Sequence, residues 1–505
     1  MLEFKPENMA TQICISIREP TTQKAVESAA RAAEWADLVE IRGDFIRDLD
    51  LGLLLRVKPR PVIFTLRSRE QGGAYHGSER RRLETILQAA RCGADYVDVE
   101  FSAPWQVILQ GVPRERVILS HHDFEKTPTD LNSLADAMAA SGAGILKIAV
   151  RACCLADNVR VAHLLERGRE RNLKLCALAM GNAGLSSRIL GSLWGSWMAF
   201  ASLPGGDETA EGQVPADVMT YQYRVREISR ATQLYAVVGK PLMHSLSPRI
   251  HNAAFVARGK DAVFLPLEAA SFGDFLQFHA KFPLQGVAVT IPYKGDAQAL
   301  AYSLSVAAEQ TEAANTLILK ESRWHGENTD VEGFLRPLRR RTHPGKMRAV
   351  VLGAGGAARA VVYALRSQGA DVCVVARDAA KARVLASKFE ATHAGWDQLE
   401  SLRWDLLVNA TPVGTYPETG VSPVPAGFLT GQWVYDLVYN PAETLLLKEA
   451  AQRGCTTIAG SEMFLGQAWK QQCLWCETPP PENVMENALT EALAQPLPNR
   501  MSRDR

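Results

Sequence analysis

This chain lacks any surplus of charge. Its 505 residues carry 56 basic side chains against 55 acidic ones, a formal net charge of +1, so no whole-molecule field would recruit nucleic acid or an anionic membrane. Small molecules become the expected partners. No apolar run reaches the roughly 18 residues of a membrane-spanning helix. Nine cysteines are odd in number and scattered. The adjacent Cys153 and Cys154, and the single CxxC from Cys473 to Cys476, have no second CxxC or His pair nearby, so no metal site is expected and reduced thiols fit best. The opening MLEFKPENMATQICISI has neither a basic head before an apolar core nor an Arg/Ser-rich transit character, and the expectation is an untargeted cytoplasmic protein.

What the chain does have is apolar material, 47% of its residues, enough for more than one core. At roughly 150 residues per domain, two to four domains are expected. From the N-terminus, short runs of buried-strand character alternate with segments of helical period: ICISI (13–17), LVEIR (38–42), PVIFTLR (61–67), YVDVE (96–100), RVILSHHD (116–123), GILKIAV (144–150), LKLCALAM (173–180) and MAFASL (198–203). Eight such strands predict a (β/α)8 barrel. Active sites of barrels lie at the C-terminal strand ends, and these ends carry Glu40, Arg42, Arg67, Glu100, His121, His122 and Lys147. Lys147 stands out, because it interrupts an otherwise apolar strand.

Around 205–233 the chain turns polar and Gly-rich, which places a boundary near 230. Beyond it lie YAVVG (235–239), VFLPL (263–267), GVAVTIP (286–292) and NTLIL (315–319), and then AVVLGAGGAARAVVYAL (349–365). A glycine-rich turn between an apolar strand and a helix of small residues is the dinucleotide arrangement, with the pyrophosphate at the helix N-terminus. The next strand, DVCVVAR, ends in Arg377, where an NAD site usually has an acid. Arginine there suits a 2′-phosphate and favours NADP.

These motifs carry two resemblances in succession. VEIR (39–42), FTLRS (64–68), SHHDFEKTP (120–128) and LKIAV (146–150) resemble the type I 3-dehydroquinate dehydratases. GKPLMHSLSPRIHNAAF (239–255), VTIPYK (289–294), EAANTL (312–317), GENTDVEGF (326–334), GAGGAARA (353–360), NATPVG (409–414), YDLVYNP (435–441) and GSEMFLGQA (460–468) resemble the shikimate dehydrogenases. Together they resemble the dehydratase–dehydrogenase fusions of the shikimate pathway. The resemblance implies a TIM barrel over 1–228, a substrate-binding domain over 229–338, a Rossmann-type NADP domain over 339–459, and C-terminal helices over 460–505 that return to the substrate-binding domain.

It also implies chemistry. Lys147 would form a Schiff base with 3-dehydroquinate, a step open only to the neutral amine; an apolar strand and the neighbouring Arg42, Arg67 and Arg188 are expected to lower its pKa. His122 would be the general acid and base. Glu40, Arg42, Arg67 and Arg188 would hold the substrate's hydroxyls and carboxylate, under a closing loop that brings Thr209 and Gln213. In the second half, Lys294 and Asp330 resemble a catalytic pair that protonates the oxygen of 3-dehydroshikimate as it is reduced to shikimate. Ser245, Ser247, Thr290, Asn315, Tyr439 and Gln467 match substrate ligands. Unaided, SLSP reads as a helix start with a capping serine. Gly353, Ala354, Gly355, Gly356, Ala357, Arg377, Asn409, Thr411 and Gly460 fit the cofactor side, and Arg359 is a second candidate for the 2′-phosphate.

Several positions depart from the family pattern. Gln71 replaces a glutamate that orients the histidine, which leaves that role to another group such as Glu100. The loop's usual serine is Thr209, near the acidic Glu208 and Glu211. Ala288 and Ala376 replace asparagines, and Asp378 stands beside the phosphate-reading arginine. These departures motivate two alternatives, an eroded metabolite-sensing paralogue and a quinate dehydrogenase using NAD. Retention of Lys147, His122, Lys294 and Asp330 opposes the first, and the Ser245/Ser247 pair opposes the second.

Overall fold

The computed structural model describes residues 11–206, 209–242, 245–476 and 478–494. Glu208, expected in the closing loop, lies outside them. Contacts divide the chain into two units: Met1–Leu234 with Lys240–Met243 and Val263–Pro283, and Tyr235–Gly239 with His244–Ala262 and Leu284–Arg505. Among the described residues no helix is long and apolar enough to cross a membrane.

All eight strands expected in the first unit form: β1 (Gln12–Ile17), β2 (Leu38–Arg42), β3 (Val62–Thr65), β4 (Tyr96–Glu100), β5 (Val117–Asp123), β6 (Ile145–Arg151), β7 (Lys174–Met180) and β8 (Met198–Ser202). A short ninth, β9 (Val214–Pro215), pairs with β8. The order β7-β6-β5-β4-β3-β2-β1-β8-β9 is parallel throughout. Between β7 and β8 the Trp197 amide donates to the Leu175 carbonyl at 2.9 Å. Helices between strands give a (β/α)8 barrel, and Thr21, Asp50, Ser78 and Asp130 cap four of them with their side chains.

Strand alternation explains where the polar groups go. Cys14, Leu38, Ile63, Tyr96, Ile118, Ile145, Cys176 and Met198, one from each strand, belong to a single apolar cluster that floors the barrel. Replacing Ile118, fully buried there, by Ala would cost about 2–5 kcal/mol. Two residues further along each strand the period of two brings the next layer to the same face: Ser16, Glu40, Thr65, Asp98, Ser120, Lys147, Leu178 and Phe200. Polar side chains thus stand on an apolar floor.

In the second unit, strands Gln233–Gly239, Leu284–Val289, Thr316–Lys320, Arg323–Glu327 and Ser303–Leu304 lie side by side in that order. A separate parallel sheet runs Thr392–Ala394, Asp371–Val375, Arg348–Leu352, Leu406–Asn409, Trp433–Asp436, Thr456–Ile458. Apolar clusters cover both its faces, as in a doubly wound Rossmann-type sheet, and the order reverses beside Arg348–Leu352, where such sheets bind ligands. The helix Gly460–Trp475 packs on the helix Asp330–Arg339 at a glycine contact. A Cβ on Gly333 would lie 2.8 Å from the Gln467 amide nitrogen, and one on Gly466 would lie 3.0 Å from the Gly333 carbonyl. This close crossing brings the C-terminal helix beside Asp330.

Candidate active sites

The barrel mouth encloses about 570 Å³, open solvent at its entrance included, and it is lined by Glu40, Arg42, Arg67, His122, Lys147, Arg188, Thr209 and Gln213 among others. All eight residues expected for the first site therefore meet in one cavity. Lys147 is 6% exposed. Its Nζ donates to Glu40 Oε1 at 3.0 Å and to Asp98 Oδ2 at 3.4 Å, and it sits 4.0 Å over the Phe200 ring. Glu40 also accepts from Ser16 at 2.7 Å and Thr65 at 2.9 Å. Asp98 takes Arg67 Nη2 at 2.9 Å and Ser120 Oγ at 2.6 Å.

These carboxylates reverse one expectation. Burial pushes the Lys147 pKa down, but Glu40 and Asp98 outweigh it and leave it raised. The free amine is thus held as an ammonium, and the neighbouring Arg67 is a smaller influence. In turn, burial would lift Glu40, yet Lys147 and Arg42 bring it down to about 2. His122 behaves oppositely: burial first, then Arg67 and Lys147, lower its pKa well below the usual value, so its imidazole is neutral. Its Nδ1 has no hydrogen-bond partner among the described residues. Glu100 does not orient that ring; it accepts from the Ser68 amide at 3.0 Å and pairs with Arg82 at 2.6 Å. Gln71 supports the histidine through the backbone instead, its Oε1 accepting the His122 amide at 3.0 Å. Phe124 stacks on the imidazole at 5.9 Å.

The arginines differ in what they have left to offer. Arg42 is engaged by Asp44, and Arg67 by Asp98 and Ser120. Arg188, 3% exposed, reaches the Glu211 carbonyl at 3.2 Å while its Nε has no partner. No described carboxylate pairs with it, and burial pulls it down to about 10. A buried cation without a counter-ion is a seat for an anion. Above it, the Thr209 hydroxyl donates to Gln213 Oε1 at 2.8 Å, and Gln213 Nε2 donates to the Ala201 carbonyl at 3.0 Å.

In the second unit Lys294 Nζ lies 2.5 Å from Asp330 Oδ2. Asn315 Nδ2 donates to the other oxygen at 2.8 Å. The Thr290 amide donates to the Val238 carbonyl at 2.9 Å. Tyr439 stacks on Phe464 at 4.9 Å, and Gln467 Nε2 donates to the Phe464 carbonyl at 3.1 Å. Ser247 opens the helix Ser247–Ala257, with Pro248 in its first turn. The expected serine cap is absent: Leu246 occupies the N-cap without a side-chain bond, and Ser245 precedes it.

The residues present fit a dinucleotide phosphate. Gly353 has φ +110°, and a Cβ there would lie 3.0 Å from the Ala410 carbonyl. Ala354 follows in the turn. Gly355 and Gly356 would meet nothing within 4 Å if given a Cβ, so the start of the helix Gly356–Ser367, which includes Ala357, is open, and no side chain caps it. Arg377 is exposed. Asp378 turns away to cap the helix Ala379–Lys388, accepting the Lys381 amide at 3.0 Å. Arg359 is already paired with Glu312 at 2.9 Å. Asn409, fully buried, braces the following turn: its Oδ1 accepts from Thr411 Oγ1 at 2.6 Å and its Nδ2 donates to Asp436 at 2.9 Å. Gly460 touches the 437–438 backbone, where a Cβ would come within 2.5 Å.

Sequence reasoning passed over Asp98, Ser16 and Ser120 in the barrel and Thr316, Gln471 and Asp436 in the second unit. Alternation could have found Asp98, two residues before Glu100 on β4. The others read as ordinary strand or helix residues.

Residues 13–230 match the family model for type I 3-dehydroquinase, residues 237–317 that for the shikimate dehydrogenase substrate binding domain, and residues 339–412 that for shikimate / quinate 5-dehydrogenase. The chain is 32% identical over 503 residues to the chloroplastic bifunctional 3-dehydroquinate dehydratase/shikimate dehydrogenase of Arabidopsis thaliana, spanning 94% of this chain and 83% of the relative. It is 37% identical over 285 residues to the shikimate dehydrogenase (NADP(+)) of Moorella thermoacetica, spanning 53% of this chain and 96% of that one. The crystal structure of shikimate 5-dehydrogenase from Thermus thermophilus in complex with NADP(H) and shikimate aligns with a TM-score of 0.48 at 34% identity, covering 52% of this chain and 100% of that one.

Proposed function

The chain belongs to the bifunctional type I 3-dehydroquinate dehydratase and shikimate dehydrogenase family, and from that premise we propose which of its residues carry the two reactions. The enzyme dehydrates 3-dehydroquinate to 3-dehydroshikimate and reduces that product to shikimate with NADPH, in the shikimate pathway. One observation carries the assignment: a buried lysine, a neutral histidine and an arginine with no carboxylate partner among the described residues share one barrel mouth.

In the dehydratase, Arg188 takes the substrate carboxylate, while Arg42, Arg67 and Glu40 face its hydroxyls. Lys147 arrives as an ammonium. Hydroxyls competing for Glu40 weaken the hold on its proton, the neutral His122 takes that proton, and the amine adds to the ketone; His122 returns the proton to the carbinolamine hydroxyl, which leaves as water to give the imine. The protonated imine draws electrons from the adjacent C–H. His122 removes that proton and returns one to the departing hydroxyl, which leaves as water. Thr209 and Gln213 close the site.

In the dehydrogenase, Ser245 and Ser247 hold the substrate carboxylate near a helix N-terminus, and Thr290, Asn315, Tyr439 and Gln467 surround the ring. NADP would be held by Gly353, Ala354, Gly355, Gly356 and Ala357 at the pyrophosphate and by Arg377 at the 2′-phosphate, with Asn409, Thr411 and Gly460 shaping the cradle; its reduced form supplies the hydride. Lys294, paired with Asp330, donates the proton to the ketone oxygen.

We also assign the barrel to 1–228, the substrate lobe to 229–338, the cofactor lobe to 339–459 and the returning helices to 460–505, boundaries supported by the family matches. A cytoplasmic location is supported by nine free cysteines.

The test is a two-step assay: 3-dehydroquinate is added and the conjugated enone followed by absorbance, then NADPH is added and its oxidation followed. Lys147→Ala is expected to abolish enone formation and borohydride trapping of the imine, leaving the second step intact. Lys294→Ala is expected to slow the reduction of added 3-dehydroshikimate by about 10²–10⁴-fold and leave the first step intact. Normal enone formation by Lys147→Ala would refute the Schiff-base assignment.

A further inference from the structure

Behind the Lys294/Asp330 pair runs a row of buried polar side chains whose donors and acceptors can be assigned one by one. Asn315 Oδ1 accepts the Thr329 backbone amide at 2.8 Å. That amide can only donate, so the other end of the Asn315 side chain, Nδ2, must face Asp330, which it reaches at 2.8 Å. Thr316 Oγ1 also lies 2.8 Å from Asn315 Oδ1. Since that oxygen is an acceptor, the Thr316 hydroxyl hydrogen goes to it or to the Thr329 hydroxyl 3.2 Å away. The same hydroxyl can then only accept on its far side, and there Gln471 Nε2 stands at 3.0 Å. The row thus runs in one sense: Gln471 donates to Thr316, Thr316 to Asn315 directly or through the Thr329 hydroxyl, Asn315 to Asp330, and Asp330 holds Lys294 at 2.5 Å.

Thr316 is fully buried, Gln471 is 1% exposed and Asn315 3%, so water does not substitute for a missing link. Gln471 comes from the C-terminal helix Gly460–Trp475, brought there by the Gly333/Gly466 crossing. Its neighbour Gln472 places Nε2 3.0 Å from His251 Nδ1. Burial pulls the His251 pKa down to about 3, which keeps a positive charge away from the row. The Thr329 hydroxyl joins it too, 3.1 Å from Asn315 Oδ1 and 3.2 Å from Thr316 Oγ1.

We propose that Gln471 and Thr316 are positioning residues for hydride transfer: through Asn315 they aim the Asp330 carboxylate, and so hold Lys294 where it meets the substrate oxygen. The proposal rests on the reading of Lys294 and Asp330 as the proton-delivering pair. It also gives Asn315 a second duty, since its oxygen has three donors and its Nδ2 keeps one hydrogen for a ligand.

The test uses the full chain with 3-dehydroshikimate and NADPH, comparing wild type with Thr316→Val, Thr316→Ser and Gln471→Met. Thr316→Val keeps the shape and deletes the hydroxyl; it is expected to lower kcat about tenfold, to leave both KM values within about twofold, and to displace the pH profile of kcat, because Asp330 then holds the Lys294 proton differently. Gln471→Met should move the same quantities in the same direction, and Thr316→Ser, which restores the hydroxyl, should return them to the wild-type range. Wild-type kcat and pH profile in folded Thr316→Val and Gln471→Met, or failure of Thr316→Ser to rescue, would overturn the positioning role. If Thr316→Val does not fold, Gln471→Met and Thr316→Ser decide alone. A wild-type chain that binds both ligands without oxidising NADPH would instead overturn the functional reading beneath it.

Discussion

The two lysines to which we assign the chemistry of this chain are held in opposite surroundings. The Lys147 side chain is 8% exposed, over an aromatic ring and between two carboxylates that belong to a wider net of Arg67, Ser120, Ser16 and Thr65. The Lys294 side chain is 25% exposed and meets one carboxylate at 2.5 Å. The difference suits what each is proposed to do with its proton. A nucleophile has to lose it on cue; burial lowers the Lys147 pKa while Glu40 and Asp98 raise it, and a substrate hydroxyl that competes for Glu40 would weaken the hold on the proton. A proton donor has to keep it until the oxygen needs it, and one carboxylate at the edge of solvent suffices.

That contrast can be broken most forcefully by deleting one carboxylate from each site. Asp98→Asn leaves the buried Arg67 and Lys147 short of a partner and should destabilise the first unit by about 3–5 kcal/mol. It should also let imine trapping begin at lower pH. Asp330→Asn breaks a partly exposed pair and should cost about 1 kcal/mol or less, while reduction slows severely. Denaturant melts followed within each unit check both. Equal stability losses would erase the distinction between the two surroundings.

Acid should separate the buried carboxylates from the buried histidines next. Glu40 and Asp98 titrate near 2 when folded, below their ordinary 4.5 and 3.8, so their contribution is present above those values and is lost as pH falls toward 2. His251 drops from 6.5 to about 3, so its helix begins to lose stability already below 6.5. Asp436, raised by burial from 3.8 to about 6, acts with the opposite sign and gains stability as pH falls through 6. Hydrogen exchange from pH 7 to 4 should show loosening of the helix Ser247–Ala257, and of β5 with its buried His122, before β2 and β4, and Asp436→Asn should steepen the loss in the second unit.

The smallest effect sharpens the histidine's place in the comparison. Gln71→Glu keeps an acceptor for the His122 amide and adds a negative charge, which should raise the imidazole pKa and move the acid limb of dehydratase kcat/KM to higher pH, with a few-fold change in kcat. An unmoved limb would mean that Gln71 acts through the backbone alone.

Much of this was legible in particular residues. Lys147 announced itself as a charge inside GILKIAV, and the strand ends of a barrel led to Glu40, Arg42, Arg67 and His122. The glycines and Arg377 indicated a dinucleotide turn, and Asp378, an awkward acid on paper, proved to be a helix cap. Others were hidden. Asp98 and Ser120 look like polar fillers until closure of the sheet turns their face toward Lys147, and the lysine's ionisation was misjudged because those partners come from strands far away in sequence. Thr316 and Gln471 lie 155 residues apart.

By itself, then, the sequence determined the eight strands, the two successive units, the chemically distinctive residues and the open glycine turn, because these depend on short-range periodicity and on backbone freedom local to a few positions. The tertiary structure alone decided which carboxylates face Lys147, which arginine has no carboxylate partner among the described residues, and how the helix Gly460–Trp475 reaches Asp330. Ionisation and hydrogen-bond direction depend on distance and burial, and those are set by strand register and helix crossing rather than by order along the chain.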